Sequence, residues 1–328
     1  MNSENSTLLD VRDLQTYFFT ESGVAKAVDF VSFRVRKAQV VGLVGESGCG
    51  KSVTAHSLMR LIPPPGKIVG GRVLFRDRNL LELSADEMRE VRGNQISMIF
   101  QEPMTSLNPV FRIEDQIVEV IRQHRKIGGA EARERALELL NQVGIPSPES
   151  RLKDYPHLMS GGMRQRVMIA MAIACTPQLI IADEPTTALD VTIQAQILDL
   201  MLQLRDDTGT AILLITHDLG VIAEVAEEVL VMYTGRVVEE APVAELFQSP
   251  LHPYTQGLMK SIPGKAAGAG RRRLEAIQGV VPSLLDLPRG CKFNTRCKYV
   301  FDRCYQEEPG LLMPRGGHPV RCWLYEEK

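Results

Sequence analysis

The segment of the sequence with the clearest chemistry is a glycine-rich loop near the amino-terminal end. It matches the pattern G-x-x-x-x-G-K-[ST], in which backbone N–H groups surround phosphate oxygens at the start of a helix. The lysine of such a loop reaches the β- and γ-phosphates of a nucleotide, and the hydroxyl after it ligates Mg²⁺. A chance glycine turn is the alternative. The loop comprises Gly45, Glu46, Ser47, Gly48, Cys49, Gly50, Lys51 and Ser52, and Val53 follows it.

Two neighbouring acids, Asp183 and Glu184, follow a short apolar run. A carboxylate at the end of a buried strand can hold Mg²⁺ on nucleotide phosphates, and its neighbour can act as general base for the attacking water. Two acids that only cap a strand–turn junction are the alternative. His217 also directly follows an apolar run that is predicted to be a strand. Phosphate sites of parallel sheets lie at the carboxyl ends of strands, so His217 could contact a phosphate there. A single histidine is as often structural.

The residues Ser160-Gly161-Gly162 precede a helix-like run over 167–174. A serine and two glycines at a helix start offer a hydroxyl and N–H groups to an anion. Taken in isolation, an ordinary helix N-cap is the better interpretation.

The elements that must position these residues can be predicted from apolar runs and helical spacing. Val40–Val44, Leu179–Ala182 and Ala211–Thr216 are typical of parallel strands buried on both faces. A helix is expected from about Lys51 until the prolines at 63–65 end it. Residues from about 102 to 174 are expected to be mostly helical, with an amphipathic helix around 130–143. Residues 261–273 have the composition of a linker, and the arginines at 271–273 are interpreted as part of it.

Composition excludes some classes of protein. The net charge of −2 over 328 residues argues against a nucleic-acid binder that relies on phosphate neutralisation. No run approaches the ~20 apolar residues of a membrane-spanning helix, and the amino terminus has no apolar export signal. We therefore expect a soluble chain that would serve a membrane process only by docking onto another protein.

Four of the six cysteines lie in the last 38 residues of the chain: Cys291, Cys297, Cys304 and Cys322. A reducing compartment makes disulfides unexpected. Four thiolates suffice for a tetrahedral zinc ion or a [4Fe-4S] cluster, and the spacings are wider than the usual C-x₂₋₄-C zinc knuckles, which favours the cluster. Reduced, non-ligating cysteines are the third possibility, and His318 is set aside as a loop residue.

The order of these motifs resembles that of an ABC-transporter ATPase subunit. Ile99 to Pro109 resembles the Q-loop of the dipeptide/oligopeptide permease group, and His252-Pro253-Tyr254-Thr255 resembles its carboxy-terminal extension. The motifs follow in the order of the phosphate loop, Gln101, Ser160-Gly161-Gly162, Asp183-Glu184, Ala188-Leu189-Asp190 and His217. The resemblance implies an α/β P-loop ATPase cassette over 1–250, with a helical subdomain at about 102–174. A cysteine-rich extension would occupy 251–328.

The resemblance also implies roles for individual residues. Gln101 would sense the γ-phosphate and join Ser52 and Asp183 at Mg²⁺. Glu184, His217 and Lys51 would complete the catalytic set. The signature Ser160-Gly161-Gly162, with Gln165 and Asp190, would contact ATP held by a partner ATPase, although Met163 departs from the common signature. Phe18, between Tyr17 and Phe19, would stack on adenine.

The partners implied are a second, related ATPase chain, two membrane permeases and an extracytoplasmic substrate-binding protein, with no nucleic acid. The chain would sit at the cytoplasmic face of the inner membrane, and its cofactors would be ATP, Mg²⁺ and a [4Fe-4S] cluster, with Zn²⁺ as the alternative. Dipeptides or oligopeptides are the expected cargo, and nickel, glutathione or oligosaccharides are alternatives. A soluble ABC ATPase of repair or translation and a non-catalytic regulatory cassette are less favoured.

Overall fold

The computed structural model describes residues 7–102, 106–187, 189–261, 277–314 and 317–326. The predicted linker at 261–273 therefore lies almost entirely outside the described residues. Contacts divide the chain into two units. The phosphate-loop unit comprises Thr7–Val35, Val40–Leu81 and Ile215–Lys328, and the helical unit comprises Arg36–Gln39 and Glu82–Leu214.

The strands are β1 (Thr7–Thr20), β2 (Gly23–Arg36), β3 (Val40–Val44), β4 (Gly66–Phe75), β5 (Arg78–Asn79), β6 (Ile96–Ile99), β7 (Leu179–Asp183), β8 (Ala211–Thr216), β9 (Glu228–Tyr233) and β10 (Arg236–Pro242). The helices are α1 (Lys51–Leu58), α2 (Ala85–Val91), α3 (Ile113–His124), α4 (Gly129–Gln142), α5 (Pro148–Arg151), α6 (Gly161–Ile173), α7 (Val191–Thr208), α8 (Leu219–Val225), α9 (Val243–Gln248), α10 (Pro253–Lys260) and α11 (Asp302–Gln306). Among these described helices, none is long and apolar enough to cross a membrane.

In the phosphate-loop unit, an antiparallel sheet has the strand order β2–β1–β4–β5. β1 pairs with β4 from Leu9 opposite Phe75 to Phe18 opposite Gly66. A second group of strands places β3 parallel to β9, with Val44 opposite Val231, and β10 antiparallel to β9. All five residues of β3 are buried, as its unbroken apolar sequence predicts for a parallel strand covered on both faces.

The helical unit contains β6 and β7, which run parallel from Ile96 opposite Leu179 to Ile99 opposite Ala182. Helices α3, α4 and α6 form its helical part, and α3 buries Ile113, Ile117 and Ile121 at helical spacing. The helix predicted around 130–143 is confirmed as α4. Its buried face is formed by two alanines and two leucines: Ala132, Ala136, Leu139 and Leu140.

The predicted strands Val40–Val44 and Ala211–Thr216 are confirmed. The strand predicted at Leu179–Ala182 is also present and continues by one residue to Asp183. The prediction for the end of α1 is wrong. The helix ends at Leu58, before the prolines, because Arg60 adopts a left-handed φ of 52° and its N–H donates to Ser57 O. A local turn therefore stops α1, and the prolines belong to the connection that follows.

Candidate nucleotide site

The phosphate loop joins β3 to α1, and two of its glycines are required by close backbone contacts. Gly45 has a φ of 156°, and a Cβ there would lie 2.2 Å from Met232 O of β9. Gly50, the N-cap of α1, has a φ of 104°, and a Cβ there would lie 2.1 Å from Ala27 O of β2. Because neither position accommodates a side chain, the loop is held against two strands with its backbone alone.

Lys51 lies inside the loop. Its Nζ donates to Gly45 O at 2.8 Å and to Glu46 O at 3.1 Å, and the residue is only 5% exposed. The start of α1 adds the positive end of a helix at the same place, and Ser52 is half-buried beside it. Burial raises the pKa of the Cys49 thiol, so this cysteine is a neutral packing residue of the loop.

Two residues that were not among the predicted site residues contact the loop. The Glu46 N–H donates to Tyr254 Oη at 2.8 Å, and Arg296 forms an ion pair with the Glu46 carboxylate at 2.6 Å. Tyr254 lies in the segment His252-Pro253-Tyr254-Thr255, whose resemblance to the carboxy-terminal extension predicted no contact with the loop. Arg296 carries no local signal, since it lies 250 positions from its partner.

The helical unit brings Gln101 and Glu184 together. Asp183 ends β7 and is 2% exposed, and Glu184 follows it with a left-handed φ of 47°. Gln101 Nε2 donates to Glu184 Oε2 at 3.1 Å, and Thr187 Oγ1 donates to the same oxygen at 2.8 Å. Sequence reasoning missed Thr187. The predicted base is thus oriented by two donors next to a buried carboxylate.

The predicted signature lies at the start of α6. Ser160 Oγ accepts from Met163 N at 3.3 Å, so the ordinary N-cap interpretation describes the local structure. Ser160 and Gly161 are exposed, which leaves this helix start accessible. Gln165 is only 2% exposed, and its Nε2 has no hydrogen-bond partner among the described residues. Gln165 is therefore buried, whereas Ser160 and Gly161 of the same signature are exposed.

Asp190 caps α7 in the same unit, because its Oδ1 accepts from Ile193 N at 2.9 Å. A Cβ on Gly162 would lie 3.1 Å from the Ile193 side chain, so the starts of α6 and α7 are neighbours. Ala188, in the loop before Asp190, lies outside the described residues, as do Pro103, Met104 and Thr105 of the predicted Q-loop. The structure thus brings Asp190 close to the signature.

His217 belongs to the phosphate-loop unit and follows β8 directly. It is exposed. The next residue, Asp218, caps α8 by accepting from Gly220 N at 2.8 Å. The position of His217 at the carboxyl end of a buried strand agrees with its predicted placement.

The three aromatic residues of β1 differ in their surroundings. Tyr17 Oη donates to Asp29 at 2.6 Å and lies 3.0 Å from Gln15 Oε1, and burial together with Asp29 raises the pKa of Tyr17 to about 12. Phe19 is 44% exposed. Phe18 is half-buried, and its ring lies against Gly66. Tyr17 is therefore already engaged, which leaves Phe18 and Phe19 as the freer rings.

The four carboxy-terminal cysteines are unpaired and line one cavity together with Phe293 and Trp323. Burial raises the pKa of Cys291 to about 11 and that of Cys322 to about 12, so these thiols are neutral at pH 7 when no cation is near. Within the described ranges, no group of three or more His, Cys, Asp or Glu residues is arranged to hold a metal ion. The sequence-based expectation of a metal centre is therefore not supported by a preformed site.

His318 is committed to other partners. Its Nε2 lies 2.7 Å from Glu239 and its Nδ1 lies 3.1 Å from Glu245. Setting this residue aside as a metal ligand agrees with these contacts.

Comparison with known proteins places these features in a family. The family described as ABC transporter matches residues 28–187, and the family described as Oligopeptide/dipeptide transporter, C-terminal region matches residues 238–304. A probable peptide ABC transporter ATP-binding protein of Sinorhizobium fredii is 55% identical over 327 residues, covering 99% of this chain and 97% of that protein.

An oligopeptide transport ATP-binding protein of Bacillus subtilis is 53% identical over 324 residues, which are 98% of each chain. A solved dimeric ATP-binding cassette bound to ADP and Pi has a TM-score of 0.66 at 26% identity, covering 72% of this chain and 98% of that one. The fold is therefore that of an ABC ATPase. The chain belongs to the ATP-binding subunits of the oligopeptide/dipeptide ABC transporter family.

Proposed function

We propose that this chain hydrolyses ATP to energise an importer of dipeptides or oligopeptides. The observation that carries the proposal is the pair of carboxylates at the end of β7, where the half-buried Glu184 accepts a hydrogen bond from Gln101 next to the buried Asp183. The peptide cargo is supported by the relatives, which are named as peptide and oligopeptide transport proteins. Nickel, glutathione and oligosaccharides are the alternative cargoes.

The proposed chemistry uses the residues in the following way. The loop N–H groups and Lys51 bind the phosphates, and Glu184 accepts a proton from the attacking water. Ser52, Asp183 and Gln101 are the residues that would hold Mg²⁺, which would neutralise charge on the phosphates when bound. His217 would contact the γ-phosphate, and Phe18 would stack on adenine.

The proposed site is completed by a second subunit. The starts of α6 and α7 carry Ser160, Gly161, Gly162 and Asp190, and all of these except Gly162 are exposed. We propose that they contact ATP bound to a partner ATPase, as the partner's signature contacts ATP on this chain. ATP binding then favours the closed dimer of the two ATPase subunits, because ATP contacts both subunits only in the closed state. This chain alone is expected to bind ATP more readily than it hydrolyses it.

The proposed division of the chain is an ATPase domain over 1–250, with its helical subdomain at about 102–174, and an extension over 251–328.

We propose that Cys291, Cys297, Cys304 and Cys322 hold a [4Fe-4S] cluster. Support comes from their common cavity and the absence of disulfides among them. Zinc is the alternative, since four thiolates also suffice for a single tetrahedral ion at Zn–S distances of about 2.3 Å. The larger cluster tolerates wider separation of the thiols, and its proposed role is structural.

We propose that the chain is peripheral to the cytoplasmic face of the inner membrane, bound to two permeases that receive cargo from an extracytoplasmic substrate-binding protein. The test is ATP hydrolysis by the complex purified from membranes with its binding protein. Dipeptides or oligopeptides should stimulate it, and nickel, glutathione and oligosaccharides should not. Stimulation by one of the latter would overturn the peptide cargo. A chain that never purifies with membrane subunits would favour a soluble ABC ATPase.

A further inference from the structure

An ion pair joins the phosphate loop to the carboxy-terminal part of the chain. Arg296 Nη1 donates to Glu46 Oε2 at 2.6 Å, and Nη2 donates to Oε1 at 3.0 Å. The contact is bidentate, which is the strongest geometry for a guanidinium and a carboxylate. The Arg296 side chain is 2% exposed and that of Glu46 is 29% exposed, so water screens this pair less than a surface pair.

The guanidinium is held in place by contacts other than Glu46. Arg296 Nε donates to Gln278 O at 3.0 Å, and Arg296 N donates to Phe293 O at 3.0 Å. The Phe293 ring meets Tyr233 edge-on, with centroids 5.3 Å apart, and Tyr233 ends β9. The position of Arg296 is thus determined by its own segment and by β9, which flanks the phosphate loop.

Glu46 is an acid within a loop that must attract an anion. Its carbonyl oxygen lies 3.1 Å from Lys51 Nζ, and its N–H is fixed by Tyr254. The carboxylate therefore lies within one side chain's length of the lysine that reaches the phosphates. Without a counter-charge, it would repel a triphosphate and offset part of the attraction of Lys51.

We propose that Arg296 is a positioning residue for ATP: it neutralises Glu46 and holds that carboxylate away from the phosphates, so that the carboxy-terminal segment sets the nucleotide affinity of the loop. This inference rests on the proposed ATP site. A purely structural staple is the alternative, in which the ion pair only attaches the carboxy-terminal segment. The two hypotheses predict different ATP affinities when Glu46 loses its charge. If Arg296 acts by neutralising Glu46, its removal then no longer weakens ATP binding. If Arg296 is only a staple, its removal still does.

The test is equilibrium binding of ATP with Mg²⁺ to the full-length chain. Arg296→Met should raise the Kd of ATP by roughly fivefold or more at low salt, and the effect should shrink at high salt because it is electrostatic. Arg303→Met is the matched control, since Arg303 also neighbours a cysteine of the cavity and pairs with an acid, Glu326, but does not contact the loop. The Kd of ATP for the Arg303→Met variant should stay within about twofold of the wild-type value.

The decisive variants remove the acid. Glu46→Gln should bind ATP at least as tightly as the wild type, and Glu46→Gln with Arg296→Met should return to within about twofold of Glu46→Gln alone. A double variant as weak as Arg296→Met would overturn the inference in favour of the staple. If Arg296→Met does not fold, Glu46→Gln alone decides the question: ATP binding weaker than that of the wild type would overturn the inference in favour of the staple. A wild-type chain that binds no ATP would instead contradict the proposed function.

Discussion

Gln101 Nε2 lies 3.1 Å from Glu184 Oε2 and donates a hydrogen bond to it, in the helical unit of the chain. Thr187 donates to the same oxygen, so one carboxylate oxygen is fixed by two donors. The orientation of the carboxylate is therefore set by Gln101 and Thr187 together. This arrangement links the residue predicted to sense the γ-phosphate directly to the residue predicted to act as base.

Glu184→Gln is expected to abolish hydrolysis without loss of ATP binding. The amide keeps the shape and can still accept a hydrogen bond from Gln101, but it cannot take a proton from water. Single-turnover hydrolysis of ATP bound to this chain should fall by about a hundredfold or more. The variant should also remain associated with its partner ATPase in ATP, which size-exclusion chromatography can measure. Wild-type turnover would show that another group is the base.

Gln101→Glu is expected to shift the pH dependence of hydrolysis, whereas Gln101→Ala is not. The new carboxylate would lie about 3 Å from Glu184 and would raise the pKa of that base, because like charges disfavour ionisation. Since the base acts when ionised, the acidic limb of the rate profile should move to higher pH. An unchanged profile in Gln101→Glu, with both variants equally slow, would mean that Gln101 does not contact Glu184 during turnover.

Purification without oxygen is expected to yield a brown chain that contains iron and labile sulfide. Cys304→Ser should lose the colour, because Cys304 lines the shared cavity. Cys175→Ser is the control, since Cys175 is also buried but contacts Val120 in the helical unit. A colourless chain with one bound zinc ion would replace the cluster by zinc, and a metal-free chain would leave the four cysteines as reduced thiols.

Glu240→Gln is expected to stabilise the chain at pH 8 and not at pH 4.5. Burial, with nearby Glu228, raises the pKa of Glu240 to about 7. The folded state then binds more protons than the unfolded state between about pH 4.5 and 7, so stability falls as pH rises through this window. The gain above pH 7 should be about 1 to 3 kcal/mol, measured by urea unfolding. Glu21→Gln, at an exposed turn, should give no gain. An equal gain at pH 4.5 would contradict the burial argument.

Local pattern predicted the elements that carry the site. The apolar runs of β3, β7 and β8 indicated buried strands, and the glycines at 45 and 50 indicated the turn between β3 and α1. Contacts between distant positions leave no such pattern. Arg296 meets Glu46 across 250 positions, and only the folded chain shows this. The end of α1 was also missed, because the left-handed turn at Arg60 depends on neither glycine nor proline.

Transport itself tests the central claim most directly. This chain would be reconstituted with its partner ATPase, both permeases and the binding protein in proteoliposomes, with ATP on the ATPase side, and uptake of a labelled dipeptide and a labelled oligopeptide would be measured. At least one peptide should accumulate only with ATP, and Glu184→Gln should reduce the rate by about tenfold or more. Peptide accumulation that is unchanged in Glu184→Gln, or ATP hydrolysis that moves neither peptide, would contradict the account.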